Sequence, residues 1–327
     1  MSELRYNPLL NTWVIHSAAR QNRPTLAKGV CPFCPGSAQV PNNYNILVYD
    51  NDFPVLKESP LPVDEYYIHP LYKQKEAYGK AEVILYSPNH NATFGSFTIA
   101  HIAQIIEVWI ERNNTLSADP KIEYVFPFEN RGEEVGVTMS HPHGQLYAFS
   151  WVPPKIELEI SNCKAYFLTE GYNLFDVITS VERKDGRRIL FENDLFIAYL
   201  PYFTDYPFGV FVVAKDQTVN LSGFTPKHVA CLAEVLKLIT AAFDKVYDRP
   251  FPYMMVTHQA PVNKGGQELA HEFYRFHIEF YPPLRDKDKI KWYASSEMGV
   301  GVATNPNSLE NSAALLREKI EEVKNVL

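Results

Sequence analysis

The sequence predicts an α+β fold built as a tandem duplication: two mostly antiparallel sheets, each with helices packed on it. Three observations predict it. A weak internal repeat relates the two halves, an amphipathic helix sits between strands in each copy, and each copy closes on a histidine-led strand.

The first copy opens at Tyr49, Asp50, Asn51, Asp52 and Phe53, and the second at Phe191, Glu192, Asn193, Asp194, Leu195 and Phe196. An apolar strand follows in each, over 81–86 and 209–214, rich in the β-branched and aromatic residues that fit a pleated face. A polar pair comes next, Asn89-His90 and Asp216-Gln217. Ile99, Ile102, Ile105, Ile106, Trp109 and Ile110 recur at spacings of three and four, as one helix face requires. Val229, Leu232, Val235, Leu236, Leu238 and Ile239 do much the same in the second copy. Further strands are expected at 122–127 and 253–257. The closing triplets are His141-Pro142-His143 and His277-Ile278-Glu279, which matches Glu279 to His143. Whether the two half-sheets join into one larger sheet is left open. The boundary falls between about 154 and 187, giving domains at 1–165 and 166–327. A terminal helix is expected over 309–327, capped by Asn311 or Ser312, with Leu315, Leu316, Ile320 and Val323 as its stripe.

The 327 residues suit about two domains. Lys and Arg number 31 against 38 Asp and Glu, a formal charge of −7, which argues against a general nucleic-acid binder. Aromatic residues reach 13%, enough for sheet faces and a flat, ring-binding pocket. No apolar run is long enough to span a membrane. The opening residues have no signal-like apolar core and cysteines number only four, so a cytoplasmic protein is expected.

Cys31 and Cys34 form a C-x-x-C pair, able to place two thiolates on one tetrahedral ion. A thiol–disulfide motif is the alternative, but Pro32 and Pro35-Gly36 favour a tight loop over a helix start. His16, His69, His90, His101, His141 and His143 are all candidates for the remaining ligands, and spacing alone does not choose among them. In an extended strand His141 and His143 point to one face. Gly136 allows close approach of a phosphate to the backbone, and Thr138, Ser140 and Gln145 supply uncharged hydrogen-bonding groups. A neutral, oriented imidazole attacks phosphorus well. Core histidines or a metal-binding face fit a bare H-x-H pair equally.

Cys31-x-x-Cys34, Ser87-Pro88-Asn89-His90, Phe128-Glu129-Asn130 and His141-Pro142-His143-Gly144-Gln145 resemble the galactose-1-phosphate uridylyltransferase family. That family is a branch of the histidine-triad superfamily with two tandem copies of its fold. The resemblance runs over nearly the whole chain. It implies a structural zinc on Cys31, Cys34, His90 and His141. It implies that His143 attacks the α-phosphorus of UDP-glucose or UDP-galactose, with a uridylyl-histidine passed on to a hexose-1-phosphate. Gln145 would bind the non-bridging oxygens, without catalytic magnesium. Arg20 and Arg23 match positions near the phosphates. Asn51, Asp52 and Phe53 match the nucleoside-binding segment, and Phe128, Asn130, Gly136 and Thr138 match other positions lining the nucleotide. Glu159, His258 and His277 match three ligands of a second, iron-or-zinc site, with Glu279 in place of a third histidine. A hydrogen-bonded core cluster is the alternative there. Lys291 and Glu297 fit a hexose-binding tail that reaches a partner's active site, which implies a homodimer. A tyrosine expected at Ser296 and a glutamine expected at Ala303 are missing, which bears on sugar specificity. The same histidine chemistry also fits a nucleotidyltransferase or phosphorylase acting on ADP-sugars or dinucleoside polyphosphates. A zinc-stabilised nucleotide sensor is the non-enzymatic alternative.

Overall fold

The computed structural model describes residues 2–22, 31–37, 40–63, 69–265 and 269–327. Its strands in the first half are β1 (Ser2–Asn7), β2 (Thr12–Ser17), β3 (Leu47–Asp50), β4 (Gln74–Glu76), β5 (Gly79–Leu85), β6 (Tyr124–Arg131) and β7 (His143–Phe149). Those in the second are β8 (Ile189–Glu192), β9 (Phe196–Tyr199), β10 (Val210–Ala214), β11 (Tyr253–His258) and β12 (His277–Tyr281), followed by the hairpin β13 (Leu284–Asp286) and β14 (Lys289–Ile290). Helices α1 (Ile99–Ser117), α2 (Pro154–Glu170), α3 (Leu174–Asp185), α4 (Pro226–Val246), α5 (Ala270–Phe273), α6 (Ser295–Val300) and α7 (Leu309–Lys324) complete the described elements.

The two half-sheets do join. Nine strands form one sheet in the order β3-β5-β7-β6-β11-β12-β10-β9-β8, with every neighbouring pair antiparallel. The seam is the β6–β11 pair, where Phe128 faces Val256 and Arg131 faces Tyr253. Pairing the two inner edges removes two exposed rows of backbone donors and acceptors at once. A separate small sheet has the order β2-β1-β4.

Helices α1 and α4 lie on one face. Their apolar stripes, Ile102, Ile105, Ile106 and Trp109 on α1 and Leu232, Val235, Leu236, Ile239 and Phe243 on α4, are buried in the main core. Each such side chain gains about 1.5–3 kcal/mol from leaving water. The repeat extends to the helix caps: Thr98 accepts from the His101 amide, and Thr225 from the His228 amide. Helix α7 packs on α4 with Leu316, Ile320 and Val323 buried, and Leu315 at the edge of the core. Its cap is Ser308, not Asn311 or Ser312, because the Ser308 hydroxyl accepts from the Asn311 amide one turn in.

The opposite face differs between the halves. In the second half, α2 and α3 cover it: Ile156, Ile160 and Phe175 pack against Ile197, Tyr199 and Val213. With α4 on the other side, β9 is buried at all four positions. In the first half β7 instead alternates between partly exposed and buried residues, leaving that face open.

Candidate active site and metal clusters

Cys31, Cys34, His90 and His141 come from three separate segments and converge. One ligand atom from each lies within 4.8 Å of all the others. Cys34 Sγ is 3.5 Å from His90 Nδ1 and 3.8 Å from His141 Nδ1. Four donors on a zinc-like ion are spaced at roughly 3.3–3.8 Å, so the set fits a tetrahedral metal. Hydrogen bonding orients the rings for it. His141 Nε2 donates to the Ser87 carbonyl at 2.8 Å, which leaves the lone pair on Nδ1. The Tyr44 hydroxyl, 3.0 Å from the same Nε2, donates to the carbonyls of Ser87 and Phe33. Burial lowers the pKa of His141, keeping a neutral ligand, while burial and then Cys31 raise that of the Cys34 thiol. The Cys34 thiol, crowded by burial and by Cys31, titrates upward until a cation joins the pair.

His143 starts β7, with Leu85 opposite it on β5. His141 lies just before the strand, so the expectation that both rings share a pleated face is corrected. Pro142 has no amide, its carbonyl accepts from Tyr86, and His141 turns into the metal cluster. His143 Nδ1 donates to the His141 carbonyl at 2.8 Å. A carbonyl only accepts, so Nδ1 carries the hydrogen and the lone pair sits on Nε2. The two imidazoles therefore hold opposite tautomers. The Phe33 ring stands edge-on to both. His143, Asn130, Thr138 and the candidate metal ligands Cys31, His90 and His141 line one cavity of about 470 Å³. Gln145 follows on the same face of β7, opposite Phe128 on β6.

Strand register corrects the match between the halves. Val213 faces His277 as Leu85 faces His143, and Val256 faces Glu279 as Phe128 faces Gln145. The Ala214 amide donates to the Phe276 carbonyl as the Tyr86 amide does to Pro142. His277, not Glu279, therefore occupies the place of His143, and Glu279 that of Gln145. His277 Nδ1 even bonds the carbonyl two residues back, on Arg275, at 3.0 Å. The sequence match went astray because each triplet begins with histidine, and only strand pairing sets register. The environments are opposite: His277 is 1% exposed, sealed beneath α2 and α3.

Glu159 reaches into that sealed place from α2. Its Oε2 lies 3.0 Å from His258 Nδ1 and 3.9 Å from His277 Nε2, and Glu279 Oε1 lies 3.7 and 3.4 Å from the same nitrogens. The other Glu279 oxygen accepts from Lys155 Nζ at 2.7 Å and from the Tyr281 hydroxyl. Burial opposes the charge of Glu279, but His258, His277 and Lys155 overcome it and hold the carboxyl well below its ordinary range. Burial likewise opposes charge on His277, yet Glu279 and Glu159 raise its pKa overall. The four donor atoms lie within 4.8 Å of one another, and this oxygen–nitrogen set also fits a divalent ion.

The remaining expected residues fall in three places. Gly136 ends a short turn at φ 80°, beside Thr138 of the cavity wall. Arg20, Asp52 and Phe53 line a separate hollow of about 130 Å³, and the Asn51 side chain accepts from the Phe53 amide. Arg23 lies outside the described residues. Lys291 and Glu297 pair at 3.6 Å on the C-terminal segment and line neither hollow. Sequence reasoning missed Tyr44, which nothing local marks, and Lys155, whose spacing of four from Glu159 on one helix was the available sign.

Comparison with known proteins places the chain in a family. Residues 1–153 match the model of the galactose-1-phosphate uridyl transferase N-terminal domain, and 159–321 that of its C-terminal domain. A galactose-1-phosphate uridylyltransferase of Thermotoga maritima is 38% identical over 324 residues, covering 99% of this chain and all of the relative. A solved uridylyltransferase structure superposes with a TM-score of 0.87 at 28% identity, covering 98% of this chain and 99% of that one. An ADP-glucose phosphorylase of Arabidopsis thaliana with bound ADP-glucose gives 0.73 at 26% identity, covering 97% and 98%. The chain belongs to the galactose-1-phosphate uridylyltransferase family.

Proposed function

We propose that the protein exchanges UMP between UDP-glucose and galactose-1-phosphate by a ping-pong route through His143. The observation that carries this is the His143 tautomer: a hydrogen on Nδ1, held by the His141 carbonyl, and a lone pair on Nε2 of a cavity-lining ring. Nε2 attacks the α-phosphorus, the bond to the bridging oxygen breaks, and the hexose-1-phosphate leaves with that electron pair. The ring turns cationic as the bond forms, and the His141 carbonyl stabilises it through Nδ1–H. Gln145 and Asn130 donate to the non-bridging oxygens. An oxygen of galactose-1-phosphate then attacks phosphorus, the P–N bond breaks, and Nε2 recovers its lone pair.

Zinc on Cys31, Cys34, His90 and His141 would supply a fixed anchor for the segment that presents His143. A second divalent ion, iron or zinc, would sit on Glu159, His258, His277 and Glu279. Arg20 and Arg23 meet the phosphates, Asn51, Asp52 and Phe53 the nucleoside, and Phe128, Gly136 and Thr138 line the nucleotide. His277 performs no transfer, because its ring is sealed under α2 and α3. Lys291 and Glu297 line neither hollow of their own chain, which supports a homodimer whose tails serve the partner's sugar site. All four cysteines are free thiols, in keeping with a reducing cytoplasm.

Mass spectrometry of the protein mixed with UDP-glucose and no acceptor tests the reaction. A uridylyl adduct on His143 that disappears with galactose-1-phosphate is expected. An adduct formed from ADP-glucose but not UDP-glucose would replace this reading with adenylyl chemistry.

A further inference from the structure

Lys291 is placed unlike an ordinary surface lysine. Its side chain is 5% exposed, and its Nζ makes no hydrogen bond among the described residues. The ammonium stands 4.1 Å from the centroid of the Tyr293 ring and 5.4 Å from that of Tyr206. The two rings are themselves stacked, with centroids 5.2 Å apart and planes 24° from parallel. Glu297 is the charge partner, at 3.6 Å, beyond hydrogen-bond reach of the ammonium. Its other oxygen accepts from the Ala294 amide at 3.1 Å, so this carboxylate is fixed by the start of α6.

Both rings are anchored. The Tyr293 hydroxyl donates to Asp205. Tyr206 packs against Tyr281 at 5.3 Å, and Asn305 donates to the carbonyls of Thr204 and Tyr206 at 3.0 and 2.9 Å. The loop carrying Tyr206 is therefore tied to the C-terminal segment that carries Lys291. Nearby, the Ser296 hydroxyl is already committed to the Val302 carbonyl at 2.7 Å. A buried ammonium with three unused N–H groups is costly unless an acceptor arrives. Aromatic faces stabilise the charge without consuming its donors, because they act on the cation and leave the N–H bonds unpaired.

We propose that Tyr206 and Tyr293 are positioning residues for the sugar phosphate: their stacked rings hold the Lys291 ammonium with its donors uncommitted within this chain, kept for an oxygen of the hexose-1-phosphate that leaves in one half-reaction and enters in the other. This rests on the uridylyltransfer reading above. It adds two residues to that reading, and with them a reason why the lysine can be buried without a hydrogen bond.

The two half-reactions separate the outcomes. Burst formation of uridylyl-enzyme from UDP-glucose reports the first, and the KM for galactose-1-phosphate reports the second. Tyr293→Leu removes the ring face at a partly exposed position, and Tyr293→Phe keeps it. The leucine variant is expected to raise the KM for galactose-1-phosphate about tenfold, with the burst amplitude at saturating UDP-glucose unchanged and the phenylalanine variant close to wild type. Tyr206→Leu and Tyr206→Phe should repeat the pattern, with circular dichroism confirming that each folds. Equal KM values for the leucine and phenylalanine variants overturn the cradle, as does a lost burst amplitude at saturating UDP-glucose. Lys291→Ala is the control: a normal KM there removes the tail from the sugar site altogether, whereas a raised KM with silent tyrosine variants removes the cradle alone.

Discussion

At the scale of single residues, the site works by assigning hydrogens. Two histidines separated by one proline carry opposite tautomers because each faces a backbone carbonyl through a different nitrogen. His143→Gly removes the proposed nucleophile while leaving the four donors of the cysteine–histidine cluster in place. Transfer should fall by at least about a thousandfold, with zinc content and thermal midpoint near wild type. Glu129 poses a different problem. It is 5% exposed on the helix side of β6, with the Tyr253 hydroxyl donating to one oxygen at 3.1 Å and the other without a partner among the described residues. Burial pushes its pKa up to about 7. The folded protein then holds a proton that the unfolded chain has lost. Glu129 therefore subtracts stability as pH rises from about 4.5 to about 7, by roughly 3 kcal/mol over that window. Urea unfolding of Glu129→Gln across that range should show a flatter pH dependence than wild type. An identical slope would mean that Glu129 is ionised in the fold.

At the scale of elements, β7 is held at one height by a contact beneath it. A Cβ built on Gly144 would meet the Tyr86 hydroxyl at 2.0 Å, and Gly144 lies between His143 and Gln145. Gly144→Ala should therefore displace both functional side chains and cost about 1–3 kcal/mol. Removing the obstructing atom with Tyr86→Phe should restore part of the stability and part of the turnover. Thermal melts and rates on the single and double variants measure that coupling, and additive losses would mean the strain lies elsewhere. Helices α2 and α3 show the complementary principle. By covering the second half's open face they turn the equivalent of His143 into a core residue, so a duplicated fold carries one cavity-lining histidine of this type and one sealed counterpart.

At the scale of the whole molecule, two ties hold distant segments to the site. The first is the cysteine–histidine cluster. Elemental analysis of purified protein should find near-stoichiometric zinc, and Cys34→Ser should lose it together with thermal stability. Undiminished stability in metal-free protein would remove the anchoring role. The second is the partner chain of the proposed homodimer. His143→Gly and Lys291→Ala homodimers should each be impaired. Exchanging subunits between them should restore about a quarter of wild-type turnover, because half of the dimers are mixed and each mixed dimer holds one intact site. No recovery on mixing would place nucleophile and tail in the same chain. No helix among the described residues is long and apolar enough to cross a membrane.

By itself the sequence determined the repeat and the elements its two copies share, because helix and strand periodicities are local: the stripes of α1 and α4 and the strand–strand–helix–strand–strand order are legible residue by residue, whereas α2 and α3 lie in the stretch read only as a boundary. It also carried Cys31-x-x-Cys34 and His141-Pro142-His143, since those ligands are neighbours along the chain. Spacing left six histidines open and the family resemblance chose His90; neither carried the seam between β6 and β11, nor the pairing of His277 with the place of His143. Those depend on strand register and on which face α2 and α3 cover. Both are settled by contacts between residues far apart along the chain, 64 positions for Val213 with His277 and 128 for Phe128 with Val256 at the seam, which no local pattern encodes.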